Sequence, residues 1–412
     1  MRITNNLIAD HVLNNIQKGM GRVYDLQNQL STGKKFQKPS ENPVDMSRAL
    51  RVNEQISKGD QYSRNLEVMA PMLQQTDSVL AEITSQLNNA EVLAKQYLNA
   101  SSNDNYDLLA SNVNEIIDGV INLSNSNYNG KYVFGGFNTT NAPFTREGDL
   151  IRYNGTDDVL SVDISENNSI DVSVPGCNIF TTHQILGTND IGTTNDVMMP
   201  EPTSNTFSIT VGTKTAVNIT VGTGTSDITL QDIADRINTS GAEVTAYIKE
   251  SDHGYKLKLV SNFVGEDGEV TIADTGADIT GGLLKTLGLV DDTNQTAGSQ
   301  NDFSKGVLDK MVSLYNKMTN NNQDIDDELS GLDSGRDNVL LNYSKVGIMA
   351  QNVEQKQSLM VDMKLKQQEL LSSIEDVDYA EVMTELNKEM TAYQAAIQAG
   401  ARVVMPSLLD YI

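Results

Sequence analysis

Residues 379–404 read YAEVMTELNKEMTAYQAAIQAGARVV, and this stretch decides the fold of the chain. At alternating steps of four and three residues it places one row of apolar side chains on a helix, with mostly polar residues between them. A helix with such a heptad row is stable only when another helix covers the row. The row consists of Tyr379, Met383, Leu386, Met390, Tyr393, Ile397, Gly400 and Val404.

The other end of the chain carries a matching row, which ends before Gly33, a typical residue just past a helix. We expect the two terminal rows to pair. Because the C-terminal row is longer than one partner covers, we read Gly400 and the last apolar cluster, 408–412, as contacts between subunits. The expected assembly interface consists of Ala9, Leu13, Ile16, Met20, Val23, Leu30, Tyr379, Met383, Leu386, Met390, Tyr393, Ile397, Val404, Leu408, Leu409 and Ile412.

Helical periodicity continues inward from both ends. Pro39 and Pro43 break the first helix. Pro71 removes one backbone donor inside a later helix, where it predicts a kink. An acidic turn is expected over 324–335. Periodicity this long favours a helical bundle, and the predicted helices cover residues 44–58, 62–97, 106–123, 307–318 and 336–371.

The middle of the chain changes to the alternating pattern of β-strands from Tyr132 onward. Within 205–290 the order is β-β-α-β-β, and Thr229 with Asp232 forms a capping-box variant before the helix. We therefore predict a multidomain α plus β protein, in which a long helical bundle or coiled coil from both chain ends encloses a β-rich and α+β insertion. The predicted domains are a terminal coiled coil (1–40 and 374–412), a helical rod (41–136 and 306–373), a β-rich domain (137–204 and 291–305) and a small α+β domain (205–290).

Composition excludes several classes of protein. The net charge of −25 disfavours nucleic acid and anionic lipid as partners. Cys177 is the single cysteine, so no disulfide forms within the chain. Residues 1–30 alternate polar and apolar, unlike a signal peptide, and no run of about eighteen apolar residues predicts a membrane span.

Motifs of catalysis and metal binding are missing from the sequence. His11, His183 and His253 are scattered, without a second ligand at the spacing of a zinc site. The acidic run 324–328 lacks the glycine placement of an EF-hand, so we interpret it as a solvated turn. We predict no catalytic, cofactor or metal site. A secreted enzyme carried on a helical stalk would need its catalytic residues within 141–305.

Five motifs at the two ends resemble the flagellin superfamily, and within it the hook-associated subfamily of the hook-filament junction. The N-terminal motifs are MRITNN at 1–6, LSTGK at 30–34 and KPSENPVD at 38–45. At the other end the motifs are IEDVDYAEV at 374–382 and SLLDYI at 407–412. The helical resemblance covers roughly 1–140 and 306–412, and LQDIADRIN at 230–238 resembles a small domain inserted in such proteins.

The resemblance implies a structural adaptor of the bacterial flagellum, outside the cell, that joins hook to filament. Its implied partners are the first hook-associated protein, flagellin, copies of itself in a ring, and a flagellar export chaperone that covers the C-terminal row. Export would use the flagellar secretion apparatus without a cleaved signal peptide. The alternative within the family is flagellin, the main filament subunit. Against it are the MRIT start, the PSENP turn at 39–43 and the Tyr411-Ile412 ending.

Overall fold

The computed structural model describes residues 5–100, 103–148, 150–180, 183–199, 205–221, 228–264, 268–274, 283–290, 299–300 and 306–404. Its helices are α1 (Asn5–Thr32), α2 (Pro43–Leu98), α3 (Asn103–Ser124), α4 (Cys177–Phe180), α5 (Leu230–Thr239), α6 (Leu283–Thr286), α7 (Val307–Thr319), α8 (Asp326–Glu375) and α9 (Tyr379–Val404). The predicted class is confirmed, since long helices from both ends enclose a β-rich middle.

The strands of the described residues are short. They are β1 (Asn127–Tyr128), β2 (Lys131–Tyr132), β3 (Phe144–Glu147), β4 (Leu150–Tyr153), β5 (Ser161–Ser165), β6 (Asn168–Asp171), β7 (Gln184–Leu186), β8 (Val197–Met199), β9 (Asn205–Val211), β10 (Val217–Val221), β11 (Ile228–Thr229), β12 (Val244–Ser251), β13 (Gly254–Ser261), β14 (Phe263–Val264), β15 (Val270–Asp274) and β16 (Ser299–Gln300). Every strand pair among them is antiparallel.

The chain divides into two compact units. The first comprises residues 1–64 and 357–412, and the second comprises 65–356. The finer domain boundaries expected from the sequence stay a prediction.

Local chemistry sets the helix ends in the first unit. Gly33 follows α1 in the left-handed region at φ 71°, and its N–H donates to the carbonyl of Gln29 (2.8 Å). Pro43 opens α2 at the position where a missing N–H costs nothing, and the Asn42 side chain accepts from the N–H of Asp45 (3.2 Å). The loop 33–42 therefore has a defined conformation between two capped helices.

The second unit has a helical core and a β-rich core. In α2 a row of apolar residues at four-three spacing is buried, with Leu66, Leu73, Leu80, Ile83 and Leu87 fully shielded from solvent. In the β-rich part, β9 alternates buried and half-buried residues, and the capping box between Thr229 and Asp232 at the start of α5 is formed as predicted.

The sheet that contains β12 and β13 also contains two strands from outside 205–290. Its order is β12-β13-β7-β16, while β9 lies between β10 and β15 in a separate three-stranded sheet. In the predicted β-β-α-β-β order, β9 and β10 precede α5 and β12 and β13 follow it, with the two-residue β11 added directly before α5. The partners β7 and β16 carried no sequence signal, because they are only three and two residues long.

Two helix predictions were wrong. The helices predicted at 44–58 and 62–97 are one helix, α2, since a single Gly59 costs only about 1 kcal/mol and does not stop a helix. The acidic turn expected over 324–335 is largely the first turns of α8, which begins at Asp326 rather than Arg336. Acidic side chains are favourable at a helix N-terminus, and Glu328 also accepts from the Lys317 ammonium (2.7 Å).

Candidate assembly surface

Helices α1 and α9 pair in antiparallel heptad register. The glycines show the register. A Cβ at Gly400 would lie 2.7 Å from Cγ1 of Val12, and one at Gly19 would lie 3.4 Å from the ring of Tyr393. One heptad forward in α1 thus corresponds to one heptad back in α9. Each of these glycines leaves the space that a larger side chain of the other helix fills.

Gly400 was expected at a contact between subunits, and this interpretation was wrong. The residue is buried within the chain, against Val12 and Ile16. Glycine supplies the space that a side chain there would take from Val12, whose β-branched side chain has little rotamer freedom. The break in the C-terminal row is therefore part of the pairing of the two ends.

The inner row of α1 is not the row expected from the sequence. We call inner the residues Val12, Ile16, Gly19, Val23, Leu26, Leu30 and Gly33, and outer the residues Leu13 and Met20. Ile16, Val23 and Leu30 belong to both four-three rows and are half-buried, whereas Leu13 and Met20 are exposed. The intrachain partner therefore covers only one of two overlapping apolar rows.

The same split occurs on α9. Its inner positions include Val382, which is buried, and Leu386 and Tyr393, which are half-buried. Its outer row is Met383, Met390 and Ile397, and all three are exposed. Tyr379 is also exposed, although its hydroxyl reaches the site where a Cβ of Gly33 would lie.

Hydrogen bonds between two connecting loops support this register. The N–H of Lys35 donates to the carbonyl of Glu375 (2.6 Å), and the N–H of Val377 donates to the carbonyl of Gly33 (3.0 Å). The Lys34 ammonium pairs with the Glu375 carboxylate, which is almost fully buried. The loop after α1 and the loop before α9 are thus joined by backbone bonds and an ion pair.

An ion pair between α1 and α9 and a cap at the start of α9 add to these bonds. The Arg22 guanidinium donates to the Glu389 carboxylate (3.1 Å) on the flank of α1 and α9. Asp378 caps α9, since its carboxylate accepts from the N–H of Ala380 (2.9 Å) and of Glu381 (3.2 Å). The sequence did not predict these contacts of Lys34, Arg22 and Asp378. For Asp378 a signal was present, because an aspartate directly before a heptad row is typical of a helix N-cap.

Large exposed apolar side chains are concentrated in the first unit. Among the described residues, 14 of the 21 exposed large hydrophobic side chains belong to it, although it is the smaller unit. Of the residues of this unit whose burial is described, five hydrophobic ones are buried, namely Leu26, Phe36, Ala49, Val52 and Val382. The exposed ones are Leu13, Met20, Tyr24, Val44, Leu50, Leu359, Val361, Met363, Leu365, Leu370, Tyr379, Met383, Met390 and Ile397. A surface of this kind marks an interaction site.

Some expected interface residues lie outside the described structure. Leu408, Leu409 and Ile412 fall beyond residue 404, and the side chains of Ala9 and Val404 are not described.

Where the structure describes the chain, no helix combines the length and apolar character needed to cross a membrane. Likewise, its described residues contain no group of three or more His, Cys, Asp or Glu side chains that could hold a metal ion.

Comparison with protein families matches both helical ends of the chain. The model of the bacterial flagellin N-terminal helical region matches residues 3–139, and that of the bacterial flagellin C-terminal helical region matches residues 321–412. Together the two regions cover more than half of the chain. They include α1 and α9, with both the inner and the outer rows.

Curated relatives and solved structures with similar chains are flagellar. Flagellar hook-associated protein 3 of Salmonella typhimurium is 25% identical over 261 residues, which are 63% of this chain and 76% of the relative. The protein of the same name from Escherichia coli is 25% identical over 44% of this chain and 57% of its own length. A hook-associated protein 3 structure from Legionella pneumophila has a TM-score of 0.43 at 16% identity, covering 78% of this chain and 98% of its own.

Proposed function

The chain belongs to the bacterial flagellin family, and we propose that it is the structural subunit that joins the flagellar hook to the filament. It acts in the bacterial flagellum, where it assembles with other flagellar components. The two curated relatives named above, both hook-associated protein 3, support the junction role over that of flagellin itself. The role is structural and requires no catalytic centre.

One observation carries this proposal: each terminal helix has an apolar row that its intrachain partner leaves exposed. Leu13 and Met20 on α1, and Met383, Met390 and Ile397 on α9, lie on these outer rows. Exposed apolar rows on paired helices are stabilised when further helices cover them. In an assembled tube, the neighbouring subunits supply those helices.

We further propose specific partners for this surface. The first hook-associated protein binds on one side, flagellin on the other, and copies of the chain bind laterally in a ring. Before export, a chaperone covers the C-terminal row, because an apolar surface of this size would otherwise aggregate. The chain then leaves the cell through the flagellar secretion apparatus.

Deletion of the gene tests the junction role. We expect hooks to persist while unpolymerised flagellin leaks into the medium, and we expect the intact gene to restore filaments. Loss of the bulk filament protein itself would instead identify the chain as flagellin. A tag in the exposed turn at 252–253 between β12 and β13 gives a second measurement, since it must label one point between hook and filament.

A further inference from the structure

A lysine is buried in the middle of the four-stranded sheet of the second unit. Lys258 lies on β13, between β12 and β7, and is only 6% exposed. Lysine is almost never buried to this degree unless it is paired. Its Nζ contacts two groups from another part of the chain, Oδ2 of Asp157 (2.8 Å) and Oδ1 of Asn178 (3.2 Å).

These three side chains close a triangle of hydrogen bonds. Nδ2 of Asn178 donates to Oδ1 of Asp157 (2.9 Å), so one carboxylate contacts both the amine and the amide nitrogen. Asp157 is 1% exposed, which excludes bulk water from the contact. The position of Asn178 is set by α4 and by the side chain of Asn338, which donates to the Asn178 carbonyl (3.1 Å).

The buried carboxylate of this cluster pairs with more than one lysine. Lys249 also pairs with Oδ2 of Asp157 (2.8 Å), so two lysines face one buried carboxylate. Burial raises the pKa of Asp157, but the two lysines outweigh it and lower that pKa below its ordinary value, so the carboxylate is available as a base.

We propose that Lys258 and Asn178 form an intramolecular isopeptide crosslink, with Asp157 as the proton-transferring catalytic residue. The neutral Nζ of Lys258 attacks Cγ of Asn178, and Asp157 accepts a proton from that nitrogen. The same carboxyl then donates the proton to Nδ2, the Cγ–Nδ2 bond breaks, and ammonia leaves. The new bond is an amide between Nζ and Cγ, and no oxidant or reductant takes part.

Proximity lowers the activation barrier of a reaction that is slow between free amines and amides. The amine lies 3.2 Å from the oxygen of the target amide, in a buried site that keeps both groups in contact. Effective concentrations reach about 10⁵ M when two reacting groups are held in a near-attack geometry. The bond would tie β13 to α4 across 80 residues of sequence and close a loop in the unfolded chain.

Mass spectrometry of the full-length folded chain tests the proposal. We expect an intact mass lower than that of the sequence by one ammonia molecule, and a branched peptide that joins Lys258 to Asn178 after proteolysis. Folding is checked on the same sample by circular dichroism. A folded chain at the full mass of its sequence would overturn the proposal, as would loss of one water in a branched peptide that joins Lys258 to Asp157.

Variants separate the crosslink from other losses of ammonia. Ring closure of an asparagine with its own backbone also releases ammonia, but it does not need a lysine. Lys258→Arg places a guanidinium, which does not attack an amide, beside Asp157 and should retain the full sequence mass, whereas Lys249→Arg should still lose ammonia. Loss of ammonia in the Lys258→Arg chain would assign it to asparagine alone and contradict the crosslink.

Discussion

Removal of the outer row of α1 should weaken assembly without unfolding the chain. The change is the double substitution Leu13→Ala and Met20→Ala. These side chains are 60% and 62% exposed in the free chain, so the intrachain pair hardly depends on them. We therefore expect the free energy of unfolding to change by less than about 0.5 kcal/mol, as for other exposed positions.

The effect on assembly follows from the area that would be buried there. Full burial of a Leu or Met side chain is worth about 1.5–3 kcal/mol, so covering the exposed fractions of both residues contributes about 2–3 kcal/mol. Each 1.4 kcal/mol is tenfold in affinity, which gives a subunit contact weaker by about thirty- to a hundredfold. The variant should therefore need a much higher expression level to restore filaments.

Complementation of a deletion strain with graded expression measures this difference. The readouts are the fraction of cells with filaments and the flagellin released into the medium. Asn14→Ala with Gly21→Ala is the control, because both positions are exposed and lie about 100° around α1 from Leu13 and Met20, away from the inner row. Filaments restored by the Leu13 and Met20 variant at the wild-type expression level would refute the assembly role of the outer row.

Three further predictions concern the two units. Gly400→Leu should overpack the α1–α9 pair by about 1–3 kcal/mol and lower its helical stability in thermal circular dichroism, while Gly59→Leu, which has open space, should not. In the dilute monomer, the amides of α1 and α9 should exchange quickly with deuterium, because few buried apolar contacts hold them; strong protection would contradict this. Leu80→Ala, at a fully buried position of α2, should cost about 2–5 kcal/mol in denaturant unfolding, whereas Val92→Ala should change stability little.

Much of the fold was predictable from the sequence because the signals are local and repetitive. The buried row of α2, from Leu66 to Leu87, follows four-three spacing, and the capping box at Thr229 marks the start of α5. Such patterns need only the geometry of one helix. The end of α1 at Gly33 is likewise a local property, since the left-handed conformation there suits glycine.

Periodicity determined that both terminal helices carry apolar rows, but only the tertiary structure decided which flank each partner covers. Ile16 and Leu386 belong to both possible rows, so spacing cannot separate Val12 from Leu13 or Val382 from Met383 as the inner residue. The choice depends on the register of α1 against α9, which is set by the close approach at Gly400 and by backbone bonds between residues distant in sequence. The hydrogen-bonded triangle around Lys258 also depends on tertiary structure. The sequence predicts an exposed side chain for a lysine in a strand, whereas in the folded chain the sheet and α4 bury it.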